Sequence, residues 1–141
     1  MSRQTILFLC TGNSIRSQMA EAFLKYFAKE RFSVFSAGIS PGGVHPLTTL
    51  MMEEEGIQMS DQYSKGVDEI PLETFDFVIT LCDHAKKLCP DSIQANIREH
   101  WPIQDPIAFA AGEGVRIAKF REAKEEIKKR VIDWLDRFDR T

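Results

Sequence analysis

The stretch from Thr5 to Ala28 constrains the fold more than any other. A β-prone run, Thr5-Ile6-Leu7-Phe8-Leu9, enters a polar turn, Thr11-Gly12-Asn13-Ser14, and a helical pattern follows from about Ser17. Met19, Ala20, Phe23, Leu24, Phe27 and Ala28 recur at helical spacing and form one apolar face. A strand turning at once into an amphipathic helix is the first half of a βαβ unit, so a parallel strand should follow. Phe32-Ser33-Val34-Phe35-Ser36 alternates as that strand would, and Gly38 and the Pro41-Gly42-Gly43 turn close it.

The alternation continues. Pro46 opens a second helix, with Leu47, Leu50, Met51 and Met52 on its apolar side and Gly56 as its stop. Phe75 to Leu81 reads as a third strand that delivers Cys82 at its end. Asn96 to Trp101 holds a short fourth strand, and Val115 to Phe138 a long amphipathic helix. This predicts an α/β fold with a mainly parallel sheet. Ligands of such sheets bind beyond the carboxyl ends of the strands, where Cys10 and Cys82 both fall.

The 141 residues fit one catalytic domain, 1–141, and no repeat or linker interrupts them. A net charge of −3 argues against a nucleic-acid surface, which needs clustered Lys and Arg. The basic residues between Arg116 and Arg140 are interleaved with Glu and Asp and read as a salt-bridged, solvated face. No apolar stretch approaches the roughly 20 residues that cross a bilayer, and no signal-peptide pattern opens the chain; the expectation is a cytoplasmic protein without membrane contact. Three cysteines is an odd count for a disulfide framework, so each needs another account.

Cys10-Thr11-Gly12-Asn13-Ser14-Ile15-Arg16-Ser17 supplies one for the first. A glycine-containing loop can turn successive N–H groups inward as an anion nest. The following helix adds its positive end, and Arg16 adds a planar fork that fits a tetrahedral oxyanion. The same field favours the thiolate of Cys10, the reactive form. Ser17 either caps the helix or donates to that thiolate.

At this point a resemblance is clear. Cys10 to Glu21 resembles the active-site segment of thioredoxin-coupled arsenate reductases, which share their fold with low-molecular-weight protein tyrosine phosphatases. The similarity continues through Ser36-Ala37-Gly38, Thr80-Leu81-Cys82, Cys89-Pro90, Arg98-Glu99-His100-Trp101 and Asp105-Pro106. It implies a three-layer fold with a central, mainly parallel four-stranded sheet flanked by helices. It further implies Cys10 as nucleophile, Arg16 with the loop amides of residues 11–17 as oxyanion clamp, and Asp105 as general acid. Cys82 and Cys89 would then complete a disulfide relay: arsenite leaves as Cys82 attacks Cys10, and Cys89 attacks Cys82. A thioredoxin-like dithiol resets the pair, with glutathione and glutaredoxin as the other route.

The alternative is a low-molecular-weight tyrosine phosphatase acting through a phospho-cysteine, which needs neither further thiol. Gln18 stands where the phosphatases usually have proline, and Ile107 where they usually have an aromatic; both favour the reductase. Cys82 and Cys89 are seven positions apart, about 10 Å along an unbroken helix, whereas a disulfide needs Cα atoms within roughly 7 Å. Residues 83–88 must therefore unwind or already form a loop.

Asn13 and Ser36 are expected to shape the loop by side-chain hydrogen bonds. Some such reductases bind potassium there, and Asn13, Glu21 and Ser36 match three of the ligands. Lys65 stands at the acidic ligand's position, so its ammonium is expected to replace the ion, pair with Glu21 and hold Asn13, leaving turnover indifferent to potassium over sodium. His45 and His100 lack metal-ligand spacing, so neither a metal nor a bound cofactor is expected. Trp101 and Trp134 read as core or interface residues, and the chain as a monomer.

Overall fold

The computed structural model describes residues 3–71, 73–107 and 112–139. The elements in chain order are β1 (Gln4–Cys10), α1 (Arg16–Ala28), β2 (Phe32–Gly38), α2 (Pro46–Glu54), a 3-10 turn (Val67–Glu69), β3 (Thr74–Thr80), α3 (Asp83–Leu88), β4 (Gln94–His100) and α4 (Glu113–Asp139). The strands order as β2-β1-β3-β4, and every pairing is parallel. The expected four-stranded sheet flanked by helices is present. β4 begins two residues earlier than the sequence suggested, and residues 83–88 are helical.

β1 runs through the middle of the sheet, and Ile6 to Leu9 are wholly buried because both faces are covered. On one face α4 lays Trp134 against Phe32 and Phe77, with ring centroids 5.2 and 5.1 Å apart. Full burial of a large apolar side chain contributes about 1.5–3 kcal/mol, so this aromatic cluster is a main tie between helix and sheet. Both tryptophans are buried, and each indole N–H donates to the Glu99 carboxylate.

Helix ends follow local chemistry. Pro46 occupies the first turn of α2, and the His45 ring nitrogen Nδ1 accepts the Leu47 N–H at 3.0 Å. Gly56, at φ 75°, stops that helix in the left-handed conformation glycine tolerates. The solvated face expected on α4 is only partly so. Lys124 is buried between Glu54 and Glu55 at 3.2 and 3.1 Å, and Arg121 and Lys128 also reach across to α2. Arg140 lies outside the described residues. No helix among the described residues is long and apolar enough to cross a membrane.

Candidate active site

The loop between β1 and α1 sits at the carboxyl edge of the sheet and is laced from behind. Ile39 N–H donates to the Cys10 carbonyl at 3.2 Å, Ser40 to Thr11 at 2.8 Å, Gly42 to Gly12 at 3.0 Å and His45 to Ser14 at 3.1 Å. The fifth carbonyl, of Asn13, accepts from the Gln18 amide at 3.2 Å. In a trans peptide each carbonyl points opposite to the following N–H. With carbonyls 10–14 drawn backward, the N–H groups of Thr11, Gly12, Asn13, Ser14 and Ile15 turn into the loop, which is the geometry of an anion nest. Asn13 takes φ 46° to close it, a conformation asparagine adopts more readily than most residues.

Cys10 is buried, and its sulfur shares a 2.8 Å hydrogen bond with Ser17 Oγ. The alternative role for Ser17 is excluded. Ile15 is the N-cap of α1 and no side chain caps it, which leaves the helix donors facing the loop. Arg16 is 9% exposed; Nη1 donates to the Ile103 carbonyl at 3.0 Å, and Nη2 lies 3.9 Å from Asp105 Oδ2. Asp105 also accepts the Ile107 N–H at 3.1 Å, the local turn expected of an Asp-Pro step.

Behind the loop lies a buried polar layer. Asn13 Nδ2 donates to Ser17 Oγ at 2.8 Å and to Ser36 Oγ at 3.0 Å, and Ser36 donates to Glu21. Glu21 contacts two ammonium groups, Lys25 and, at 3.9 Å, Lys65. Lys65 does face Glu21, but its ammonium does not hold Asn13. That task falls to the Lys65 backbone N–H, which donates to Asn13 Oδ1 at 2.9 Å, while the ammonium donates to the Tyr63 carbonyl at 3.2 Å. Burial pushes Lys65 below its usual basicity; Glu21 works against that shift and Lys25 adds to it.

The second thiol belongs to the same site. Cys82 is buried at the N-cap of α3, where its sulfur accepts the Ala85 N–H at 3.4 Å and shares a 3.3 Å contact with Thr11 Oγ1. Cys89 is set apart at the far end of α3. All three cysteines are free.

Three participants escaped the sequence reading. Gln18 is fully buried and ties Asn13 Oδ1 to the Tyr63 carbonyl, both at 3.0 Å. Ser64 donates to the Gly12 carbonyl at 3.1 Å. The Ile103 carbonyl that turns Arg16 is a backbone atom, so no residue type announces it. Only Gln18 carried a signal, its place after Arg16-Ser17 where the phosphatases usually have proline, and that signal did not give its role as a tie.

The comparisons agree with this geometry. The model of the low molecular weight phosphotyrosine protein phosphatase family matches residues 5–141. A protein named arsenate reductase from Halalkalibacterium halodurans is 41% identical over 131 residues, covering 93% of this chain and 94% of its own. A solved structure described as an arsenate reductase in the phosphate binding state superposes with a TM-score of 0.81 at 34% identity, over 95% of this chain and 98% of that one. A thioredoxin-dependent arsenate reductase of Corynebacterium glutamicum gives 0.72 at 28% identity, over 97% of this chain and 62% of that one. The chain belongs to the low molecular weight phosphotyrosine protein phosphatase family, and within it stands with the proteins named arsenate reductase.

Proposed function

We propose that this protein is a cytoplasmic arsenate reductase reset by a thioredoxin-like dithiol. The observation that carries the reading is the placement of a second thiol against the anion loop, with Cys82 Sγ on the hydroxyl of Thr11, the residue after Cys10. A phosphatase resolves its cysteine adduct with water and has no use for that thiol; reduction of arsenic(V) needs two electrons, which two thiols supply.

The sequence of steps balances. Arsenate enters the nest, held by the inward N–H groups and the Arg16 fork, which leaves Ile103 for the ion. The Cys10 thiolate attacks arsenic, and Asp105, beside Arg16, gives a proton to the departing oxygen. The Cys82 thiolate then attacks Cys10 Sγ. The S–S bond forms, the S–As pair passes to arsenic, and arsenite leaves. Cys89 attacks Cys82, freeing Cys10 as thiolate, and an external dithiol reduces the Cys82–Cys89 bond. Lys65 and Lys25 supply the positive charge beside Glu21, the place of a potassium ion, so the loop is held without one.

The test is arsenite formation with a regenerating thioredoxin system, measured beside aryl phosphate hydrolysis. Cys82→Ser and Cys89→Ser should lose at least about 100-fold of arsenite turnover, as loss of a nucleophile in a covalent relay demands, and keep any aryl phosphate hydrolysis. Both variants reducing arsenate like wild type would sink the relay, and turnover of aryl phosphate alone would make the protein a phosphatase.

A further inference from the structure

The step that moves Cys89 to Cys82 needs a moving part, and the contacts around α3 define its ends. Cys82 cannot travel far. Leu81 N–H donates to the Leu9 carbonyl at 2.8 Å, Trp101 N–H to Thr80 at 2.8 Å and Ile103 N–H to Leu81 at 3.0 Å. One residue further, His100 Nε2 donates to Asp83 Oδ1 at 2.9 Å, and the same ring meets Thr80 Oγ1 at 2.7 Å through Nδ1. The chain is therefore pinned to the sheet through residue 83.

On the other side the first pinned residue is Ile93. Its side chain is buried, its carbonyl accepts from Arg98 Nη2 at 2.6 Å, and Gln94 N–H donates to the Glu73 carbonyl at 2.7 Å. Among the described residues the Cys89 sulfur makes long hydrogen-bond contacts, 3.8 Å to Arg98 Nη1 and 3.8 Å to the Pro90 carbonyl, and the residue is half-buried against the core. Of α3 itself Ala85 alone is buried, and Leu88 is 49% exposed, so unwinding uncovers little apolar surface. A groove of about 740 Å³, lined among others by Thr80, Lys86, Cys89, Ile93, Arg98 and His100, lies between the sulfur and the strands β3 and β4 and leaves the arm loosely packed on that side.

We propose that Arg98 and His100, two residues apart on β4, are positioning residues of the thiol exchange: they fix Ile93 and Asp83, the ends of an arm, 84–92, that carries Cys89 to Cys82. The inference rests on the relay described under Proposed function. In the step it serves, a Cys82–Cys89 bond forms, the Cys10–Cys82 bond breaks, and its electron pair leaves with Cys10. No outside reagent enters. The long Arg98–Cys89 contact opens as the arm swings, while the Arg98–Ile93 bond holds. Freeing either end enlarges the volume the sulfur searches and dilutes it at its target.

The experiment uses the full chain with Arg98→Met and with His100→Ala. After one turnover of arsenate, samples are alkylated at intervals and the disulfides mapped. Each variant should replace Cys10–Cys82 by Cys82–Cys89 about twofold to tenfold more slowly, the span of one anchoring hydrogen bond. Aryl phosphate hydrolysis, which uses neither Cys82 nor the arm, should match wild type in both variants, and the burst of arsenite, which precedes the swing, should match it in Arg98→Met. Amide exchange of the reduced protein should show opening confined to the arm in wild type, spreading past Ile93 in Arg98→Met and back past Asp83 in His100→Ala. Unchanged exchange rates in both variants, or a parallel fall in aryl phosphate hydrolysis, overturn the proposal. A wild type that releases no arsenite defeats the functional reading instead, and the amide pattern then decides alone whether the arm has these ends.

Discussion

Gly38 leaves no room for a side chain. A β-carbon there would stand 2.7 Å from Asn13 N and from Thr11 O and 2.8 Å from Gly12 C, all backbone atoms of the loop. Backbone cannot step aside as a flexible side chain can, so Gly38→Ala must displace the nest. The expected cost is about 1–3 kcal/mol of stability, together with a smaller melting shift on adding phosphate than wild type shows. An unchanged phosphate shift would mean the loop tolerates the intrusion. Cys10 and Arg16 were legible because a fixed count of five residues places them on one turn. Gly38 was legible as the close of a strand and as part of the resembling Ser36-Ala37-Gly38 segment, but not as a contact of the loop, since a steric demand made by a segment distant in sequence leaves no local pattern. Ser17 was legible with two roles open, helix cap or partner of the thiol, and only the position of the sulfur chose the second.

Among the elements, α2 depends on a titratable cap. His45 Nδ1 must be unprotonated to accept the Leu47 N–H, and burial, then the charge of Arg116, holds His45 below its usual 6.5. The unfolded chain takes up a proton near that value while the folded chain resists it. The stabilisation is therefore complete above about pH 6.5 and declines as pH falls through and below it. The melting temperature of wild type should fall more steeply between about pH 7 and about pH 5 than that of His45→Asn, whose amide oxygen caps without titrating. Parallel curves would remove the imidazole from the cap. The sequence left α3 open between a helix that unwinds and a loop, because six residues with one buried apolar side chain carry no periodicity. β4 was seen from Asn96 on, since Gln94-Ala95 opens an edge strand with few apolar residues.

For the whole molecule, alternating periodicities made the parallel sheet legible, and with it the edge where the thiols gather. The closure of α2 on α4 was not legible, because the acidic and basic residues of α4 can pair within the helix as readily as across the molecule. Glu54 is held below the usual 4.5 chiefly by its hydrogen bond from Arg121, and Glu55 by that from Lys128. For Lys124 burial opposes the charge, but Glu55 and Glu54 outweigh it and raise its pKa. Carboxylates lowered in the folded state stabilise above about pH 4.5, and that contribution is lost as pH falls through their folded values. Glu55→Gln should melt a few degrees below wild type at neutral pH, with the gap closing below about pH 4; a gap that persists in acid would assign the loss to packing. The backward pull on carbonyls 10–14 reaches beyond stability. It makes the loop backbone a cast that sets as the chain folds, so on the proposed reading an arriving ion has only the Arg16 fork left to turn. On that reading four-oxygen ions should fill the hollow of the loop and flat ones such as nitrate leave part of it vacant, so phosphate should raise the melting temperature and nitrate at equal concentration should not.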